Sequence, residues 1–529
     1  MRDNDAVLSR LTRRELVAGA LAGGLSLGVA GLAAGCGSSA GASSTPSAGG
    51  RPKRGGSLRI GATGGGAKDS IDAHQFIGDP NAARIFQLYE PLALRDADFR
   101  LEMLVAESIE PAGRADLWTV RLRPGILFSD GRPVTADDVI YTIRRIVDPA
   151  DPKIGAASLS GVDTGALKKI DPRTVQIKLK TPNAAFPDFI GQDFNGIVPV
   201  GYDPKSPVGT GPFKYASFTP GQQSVFVRNP HYWRSGEPYV DQVVIIDFAD
   251  DTARMDALTA GQVDAITNVP AADRATVMAN AQLSLLNSQT GNWQPFVMRV
   301  DQPPFSDVRV RQAFRLIVNR PQIIEQALDG QGRVANDLYS PYDPGYASDL
   351  PQRHQDLAQA KALLKQAGHD GLTVELVTAP VFEDLVPAAQ VFQQQARGAG
   401  VTVNIRTVDS TTFFGPSYLK WTFTQDYWFT RDYLGQVTQD ALPSSPFNET
   451  HWNDPQFTKL IAQAQATLDA AKRNELLREA QTIEYERGGY IVWSFSNQID
   501  GYSTKVAGFH EARSGVPLTN YGFRSVWFT

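Results

Sequence analysis

Residues 118–139 read WTVRLRPGILFSDGRPVTADDV, and this stretch decides the fold. Apolar and polar side chains alternate over residues 118–123, with the period of two that is typical of a half-buried strand. Pro124-Gly125 and Asp130-Gly131 each predict a turn. Thr135 then stands before two aspartates, which favours a capped helix N-terminus there. The stretch therefore predicts strand, turns and helix, and its residues indicate a fold rather than a catalytic chemistry.

Strands and helices continue to alternate further along the chain. Residues 243–248 are almost uninterruptedly apolar, which is typical of a strand covered on both faces. A strand over 372–377, a helix over 384–399 and a strand over 401–408 predict a βαβ unit. The chain has 529 residues, more than the roughly 250–300 that one hydrophobic core usually serves. The sequence therefore predicts a mixed α/β protein with more than one lobe.

Composition excludes several classes of protein. The formal net charge is −5, whereas a nucleic-acid-binding protein favours a basic surface, so we expect no nucleic-acid partner. The single cysteine, Cys36, allows no internal disulfide and no cysteine-based zinc site.

The first 36 residues have the parts of an export signal. Arg13-Arg14 precede an apolar stretch over 16–34, and the stretch ends in LAAGC at Cys36. The paired arginines resemble a twin-arginine signal, and the ending resembles the lipobox of bacterial lipoproteins. Residues 37–56, GSSAGASSTPSAGGRPKRGG, predict a flexible linker. We therefore expect a signal over 1–36 and a lipid on Cys36; the alternative is that 16–34 is a permanent transmembrane helix.

No common catalytic or metal-binding motif is present in the sequence. GxSxG, HExxH and GxxxxGK[ST] are all missing, and the six histidines show no pair at metal-ligand spacing. We therefore expect no enzymatic activity, no cofactor and no metal.

Five further segments join residues 118–139 in a resemblance to a known family. They read PVGTGPF (207–213), RNPHYW (228–233), AGQVD (260–264), PFSDVRVRQAF (304–314), and AKALL (360–364) with AG at 367–368. Together, and in this order, these segments resemble the bacterial extracellular solute-binding proteins of family 5, the oligopeptide, dipeptide and nickel-binding type. Such proteins are the solute-binding components of ABC importers. The resemblance implies that this chain is the lipoprotein component of such an importer.

The resemblance implies a periplasmic-binding-protein-like α/β fold of the class II, cluster C type. Two lobes surround a hinged cleft, and a third domain is inserted near the N-terminus. The implied segments are lobe I over 57–82, 205–297 and 499–529, the inserted domain over 83–204, and lobe II over 298–498.

The resemblance also implies a function. We expect a monomeric protein, lipid-anchored at the outer face of the cytoplasmic membrane, that captures a small organic solute between its lobes. The solute is expected to be a peptide, and the partner an ABC permease. Two alternatives stay open: an opine-like or sugar-conjugate solute, or an exported hydrolase on the same scaffold.

Residues 418–433, YLKWTFTQDYWFTRDY, hold most of the candidate ligand-binding residues. In peptide-binding members, an aspartate of this region pairs with the peptide's amino terminus; the resemblance points to Asp432, and in second place to Asp426. The other predicted ligand contacts are Arg431, Trp428, Tyr433 and Trp293. For the aromatic residues the alternative is core packing, and for Asp432 it is a structural pair with Arg431 or an exposed position.

Overall fold

The structure is a computed structural model that describes residues 51–75 and 78–529. The predicted signal, Cys36 and most of the predicted linker lie outside these ranges. Within them, no helix is both long enough and apolar enough to cross a membrane.

The stretch over 118–139 folds as predicted. Its strand is Leu117–Leu122 and its helix is Ala136–Ile146. Before the helix, Thr135 donates its backbone N–H to Asp138 Oδ2 at 2.8 Å and its hydroxyl to the same oxygen at 2.7 Å. This contact fixes the helix start, as expected of a capping residue.

The strands alternate with helices along the chain. In the first half the strands are β1 Ser57–Thr63, β2 Ala93–Arg95, β3 Leu101–Met103, β4 Ala106–Arg114, β5 Leu117–Leu122, β6 Lys168–Asp171, β7 Thr174–Lys178, β8 Phe213–Thr219, β9 Gln223–Arg228, β10 Gln242–Phe248 and β11 Ala265–Ile266. In the second half they are β12 Leu283–Asn292, β13 Phe296–Met298, β14 Gly332–Val334, β15 Thr373–Thr378, β16 Thr402–Thr407, β17 Phe423–Gln425, β18 Tyr490–Ile491, β19 Ser494–Ser503, β20 Val506–Ala507 and β21 Trp527–Phe528.

The helices are mostly short and capped by aspartates or asparagine. They are α1 Asp79–Leu88, α2 Ala136–Ile146, α3 Ala156–Leu159, α4 Phe186–Ile190, α5 Asp251–Thr259, α6 Arg274–Ala279, α7 Val308–Ile317, α8 Arg320–Ala327, α9 Leu357–Gln366, α10 Leu385–Gly398, α11 Ser410–Phe413, α12 Tyr433–Asp440, α13 Pro455–Ala466 and α14 Ala470–Arg487. Near the C-terminus, Pro517–Tyr521 is a turn in which Leu518, Thr519 and Asn520 have left-handed backbone angles.

Three sheets organise the molecule. The large sheet has the order β12-β19-β11-β1-β10-β9-β8, with β14 paired to β19. The second sheet has the order β16-β15-β17-β13-β18, and the small sheet β4-β5-β7-β6. We call residues 92–197 the small-sheet region, 293–493 the second-sheet region, and the rest of the described chain the large-sheet region.

Each sheet packs on a hydrophobic core of its own. Leu58 and Ile60 of β1 are buried in the core of the large sheet. Phe314 of α7 packs on the second sheet, and Trp118 of β5 lies in the core of the small sheet. Removing a buried aromatic side chain such as Phe314 typically costs about 3–5 kcal/mol. Three cores fit the expectation of several lobes, while the lobe boundaries given above stay a prediction.

The predicted βαβ unit is present. Strands β15 and β16 pair in parallel from Thr373↔Thr402 to Thr378↔Thr407, and α10 connects them. The carboxyl ends of these strands therefore open at one edge of the second sheet, where ligands of open α/β sheets usually bind.

Candidate ligand-binding site

Four charged side chains meet where the small-sheet region touches the second-sheet region. Arg95 and Asp188 come from the small-sheet region, and Arg95 Nη2 lies 2.5 Å from Asp188 Oδ1. Asp343 and Asp432 come from the second-sheet region, and both act electrostatically on Arg95 and Asp188. We call these four residues the junction cluster.

Short elements hold the junction cluster rigidly. Arg95 is the last residue of β2, and Asp188 lies within α4. Asp432 caps α12, and its Oδ2 accepts the Gly435 N–H at 2.7 Å. Asp343 Oδ2 accepts the Tyr433 N–H at 2.8 Å, so both carboxylates of the second-sheet region are anchored to one helix start. Such anchoring reduces the side-chain entropy that would be lost on binding a ligand.

The junction cluster has more negative than positive charge. Burial, followed by repulsion from Asp432, raises the pKa of Asp188 to about 7, although Arg95 opposes the shift. Burial and the neighbouring Asp432 also raise the pKa of Asp343. For Arg95, burial alone would lower the pKa, but Asp188 and Asp432 outweigh it and the pKa is raised. Three carboxylates thus share one guanidinium, an arrangement that a further cation would relieve.

Contacts beside the junction cluster hold the regions together. The Ala184 N–H of the small-sheet region donates to the Gln465 carbonyl of the second-sheet region at 2.7 Å. The rings of Phe99 and Tyr342, from the same two regions, lie 6.2 Å apart. The Thr430 hydroxyl donates to the carbonyl of Arg513, in the large-sheet region, at 3.0 Å. All three regions therefore meet around the cluster.

Arg431 lies on the same side of the junction as Asp432. Its guanidinium lies 5.7 Å from the centre of the Trp428 ring. It also opposes the rise in the pKa of Asp193, which burial brings to about 6. Asp193 belongs to the small-sheet region, so Arg431 also interacts electrostatically across the junction.

The structure places the three predicted aromatic residues in a buried stack. Trp293 stacks on Trp428 with ring centres 6.0 Å apart and on Tyr339 at 4.9 Å. Tyr339 in turn stacks on Tyr433 at 5.4 Å. Trp293, Trp428 and Tyr433 are all buried, which favours core packing, the alternative considered from the sequence. Direct contact with a ligand stays a prediction for them, and their observed contacts support the backbone before Asp432.

Asp426 lies in the interior beside the second sheet. Its Oδ2 accepts the Tyr418 hydroxyl at 2.9 Å, and its Oδ1 accepts the Tyr427 N–H at 2.8 Å. Asp426 lines a small cavity with Gln425 and Glu449. These hydrogen bonds hold the Asp426 side chain within the protein interior, and its role in ligand binding stays a prediction.

Sequence reasoning missed Arg95, Asp188 and Asp343. These residues are far apart in the chain, and no local motif surrounds them. The packing of the small-sheet region on the second-sheet region brings Arg95 and Asp188 to Asp432, whereas Asp343 lies beside Asp432 within the second-sheet region itself. Among the described residues, no group of three or more histidine, cysteine, aspartate or glutamate side chains is arranged to hold a metal ion.

Comparison with known proteins identifies the family. A sequence profile described as "Bacterial extracellular solute-binding proteins, family 5 Middle" matches residues 100–435, more than half of the chain. The chain belongs to this family. The resemblance predicted from six sequence segments is thereby confirmed, as is the periplasmic-binding-protein-like α/β fold. At the level of the family, these proteins bind solutes for ABC importers and are not enzymes.

Three relatives illustrate the range of family 5. Di/tripeptide-binding protein 1 of Pseudomonas aeruginosa is 26% identical over 423 residues, covering 72% of this chain and 78% of its own. The glutathione-binding protein GsiB of Shigella dysenteriae is 25% identical over 471 residues, covering 83% and 89%. The structure of the PBP AgaA from A. tumefaciens R10 in complex with agropinic acid is 25% identical, with a TM-score of 0.74 over 90% of this chain and 99% of that chain.

Proposed function

We propose that this family 5 protein binds a short peptide whose protonated amino terminus lies at the junction cluster. The observation that carries the proposal is the arrangement of three carboxyl groups around one guanidinium between two regions of the molecule. A charge pair in a closed, water-poor cleft contributes far more than one at the surface. The similarity to a di/tripeptide-binding and a glutathione-binding protein supports a peptide ligand.

The ligand favours the closed arrangement because its cation offsets repulsion across the junction. Asp188 approaches from one region and Asp432 and Asp343 from the other, so closure without a cation brings like charges together. A ligand that binds the closed form more tightly shifts the population toward it. The closed protein then delivers the peptide to the ABC permease.

Small-angle scattering with calorimetric titration tests this mechanism. Dipeptides and tripeptides with free amino termini should bind and should reduce the radius of gyration. After N-acetylation the same peptides should bind more than tenfold more weakly, and they should cause no compaction at concentrations at which the free peptides saturate the protein. A radius that stays unchanged at saturation would count against the closing mechanism.

A second ligand class, opine-like acids, is favoured by one observation. The similarity to the PBP AgaA in complex with agropinic acid extends over 90% of this chain. Mass spectrometry of whatever co-purifies with the protein separates the two classes. Co-purified peptides support the proposal, whereas an opine-like acid without peptides favours the alternative.

We further propose that the protein is anchored to the outer face of the cytoplasmic membrane by lipid on Cys36. The twin-arginine-like signal, the LAAGC ending and the following linker support this proposal. Acyl chains contribute about 0.8 kcal/mol for each buried methylene. Cys36→Ser should move the protein from the membrane fraction to the soluble fraction. A Cys36→Ser protein that stays with membranes after signal removal would contradict the anchor.

A further inference from the structure

A run of exposed basic residues precedes β1. Arg51, Lys53 and Arg54 are all exposed, and they lie between the predicted linker and the first strand of the large sheet. The Gly55 N–H donates to the Tyr239 carbonyl at 3.0 Å, so the chain joins the large-sheet region beside Tyr239. The point at which the predicted linker reaches the body of the protein is therefore fixed.

Aromatic side chains surround this entry point. The rings of Tyr239 and Trp527 lie 5.9 Å apart, edge to face. The ring of Phe528 covers Gly56, where a Cβ atom would lie only 2.5 Å from Phe528 Cδ2. All three aromatic residues are half-buried, so each keeps part of its surface in contact with solvent.

A fourth exposed cation, Lys505, lies next to these rings. It directly precedes β20, which pairs with β21, the strand that contains two of the three aromatic residues. Cations and rings thus form one continuous surface. We call the following set the entry face: Arg51, Lys53, Arg54, Lys505, Tyr239, Trp527 and Phe528.

Positive charge predominates at the entry face. Two carboxylates lie close to Tyr239 in the chain, and each is paired with an arginine. Asp241 Oδ1 lies 2.9 Å from Arg228 Nη2, and Glu237 Oε2 lies 3.2 Å from Arg524 Nε. These pairs contribute no net charge, so the four cations of the face remain in excess. Basic residues attract anionic headgroups, and tyrosine and tryptophan rings are favoured at the headgroup level of a membrane.

The entry face lies at the opposite end of the large sheet from the junction. Strand β12 spans the distance between them. Leu283 at its start pairs with Ser503, two residues before Lys505. At its other end, Asn292 Oδ1 accepts the Thr430 N–H of the second-sheet region at 2.9 Å. A strand of this length spans roughly 30 Å, so a partner at the entry face leaves the junction free for a ligand.

The predicted linker keeps this face close to the membrane. Residues 37–50 separate Cys36 from Arg51, and a Gly/Ser-rich chain of this length has an end-to-end distance of about 20 Å. Electrostatic attraction between exposed charges extends over only about 8–10 Å at physiological salt. Because the linker holds the face within such a short distance, a weak attraction is enough to dock it.

We propose that the entry face is a docking surface for a membrane that contains anionic phospholipid. This inference rests on the proposed lipid anchor on Cys36, which keeps the face near the bilayer. When the entry face lies against the headgroups, the junction lies roughly 30 Å further from the membrane, at the far end of β12. The docked protein therefore exposes its ligand-binding side to the surrounding solution.

Vesicle sedimentation of the unlipidated protein tests the face itself. Cys36→Ser protein, after signal removal, is mixed with vesicles of phosphatidylcholine or of equimolar phosphatidylglycerol and phosphatidylcholine. At about 50 mM salt, it should bind the anionic vesicles at least tenfold more tightly, and at about 500 mM salt most of this preference should be lost. Each basic residue near an anionic surface contributes about fivefold in affinity. Replacing all four cations of the face by glutamine should therefore weaken binding to anionic vesicles more than tenfold.

The matched control removes four exposed cations of the second-sheet region. It replaces Lys361, Lys365, Arg397 and Lys459 by glutamine, which gives the same change in net charge. This variant should bind anionic vesicles as tightly as its parent, and both quadruple variants should keep the melting temperature of the parent because the replaced side chains are exposed. The docking surface is overturned if anionic vesicles are not preferred, or if the two quadruple variants lose the same affinity.

Fractionation of cells separates failure of the face from failure of the anchor. Membranes are washed at high salt, so that the entry face alone does not retain unanchored protein. If wild type stays with the washed membranes and Cys36→Ser does not, while vesicles show no preference, only the docking surface fails. If wild type itself is washed off, the anchor fails, and the docking surface fails with it.

Discussion

Two charged clusters in this molecule have opposite compositions. At Asp337, one buried carboxylate is surrounded by three arginines: Arg320 Nη2 donates to both of its oxygens at 2.7 and 2.8 Å, Arg353 pairs with it, and Arg315 Nε lies 3.9 Å away. At the junction cluster, three carboxylates share Arg95. The first cluster lies within the second-sheet region, and the second lies between two regions.

The pKa shifts of the two clusters differ in sign. Burial alone would raise the pKa of Asp337, but its arginines outweigh burial and the pKa is lowered. The pKa of Asp188 is raised to about 7 by burial and by Asp432. The arginines at Asp337 also donate to other groups; Arg315 donates to the carbonyls of Tyr485 at 2.8 Å and Tyr490 at 3.0 Å. The Asp337 carboxylate is thus already paired with arginines of the protein, whereas the junction cluster would be stabilised by an added cation.

The largest effect is expected at the cluster of Asp337 and its arginines. Asp337→Asn leaves buried arginines without their carboxylate, so the free energy of unfolding should fall by about 3–5 kcal/mol in chemical denaturation. Because the Asp337 pKa is lowered on folding, its contribution is present above the unfolded pKa and is lost as the pH falls below it. The control is Asp349→Asn, which removes an exposed pair with Arg478 and should cost about 0–1 kcal/mol. Equal losses in the two variants would remove the contrast between buried and exposed pairs.

Asp432→Asn should have the opposite profile. Peptide affinity should fall more than tenfold in calorimetry, because truncating one partner of a buried charge pair typically costs about 2–5 kcal/mol. Stability without ligand should change little, since asparagine is also a good N-cap for α12. The reverse result, lost stability with unchanged affinity, would assign Asp432 to a structural pair such as the one with Arg431 considered from the sequence.

Much of the fold could be predicted from the sequence, because its signals are local. The capping residue Thr135, the alternation over 118–123 and the apolar run over 243–248 each depend on neighbours a few positions away. The aromatic density of 418–433 was equally visible, but burial decides which rings reach a ligand. Trp428 is buried and Phe429 is exposed, although they are adjacent, and no periodicity predicts this difference.

The junction cluster could be predicted only at Asp432, which lies in a recognisable segment. Arg95 and Asp188 reach it because α4 and β2 pack together in the small-sheet region, which then contacts the second-sheet region. A single sequence contains no signal for a contact of this kind between distant segments.

The next prediction concerns how the stability of the unliganded protein depends on pH. A raised carboxyl pKa stabilises the folded protein fully below the unfolded pKa of about 4, and this stabilisation is lost as the pH rises toward 7. Ionisation of Asp188 should therefore lower the melting temperature of wild type as the pH rises from about 4 to about 7. In Asp188→Asn the decrease should be smaller, by on the order of a few kcal/mol in stability. An identical pH profile in the variant would show that Asp188 is not the responsible group.

The smallest effect is expected at the contact between Tyr342 and Phe99, beside the junction cluster. Tyr342 packs near Phe99, and its hydroxyl donates to the Gln289 carbonyl at 2.6 Å. Tyr342→Ala should weaken peptide binding by about threefold, because an aromatic pair contributes about 0.5–1.5 kcal/mol. Small-angle scattering of the unliganded Tyr342→Ala protein should give a larger radius of gyration than that of unliganded wild type. Unchanged affinity and unchanged radius would exclude this contact from closure.

The most direct measurement compares one dipeptide with its N-acetylated form, titrated into wild type and Asp432→Asn at pH 7.5. The junction cluster predicts that acetylation weakens binding to wild type more than tenfold, because it removes the cation that the carboxylates share. In Asp432→Asn, the difference between the two peptides should be much smaller. Equal affinity of wild type for the free and the acetylated peptide would contradict the assignment of the junction cluster to the ligand's amino terminus.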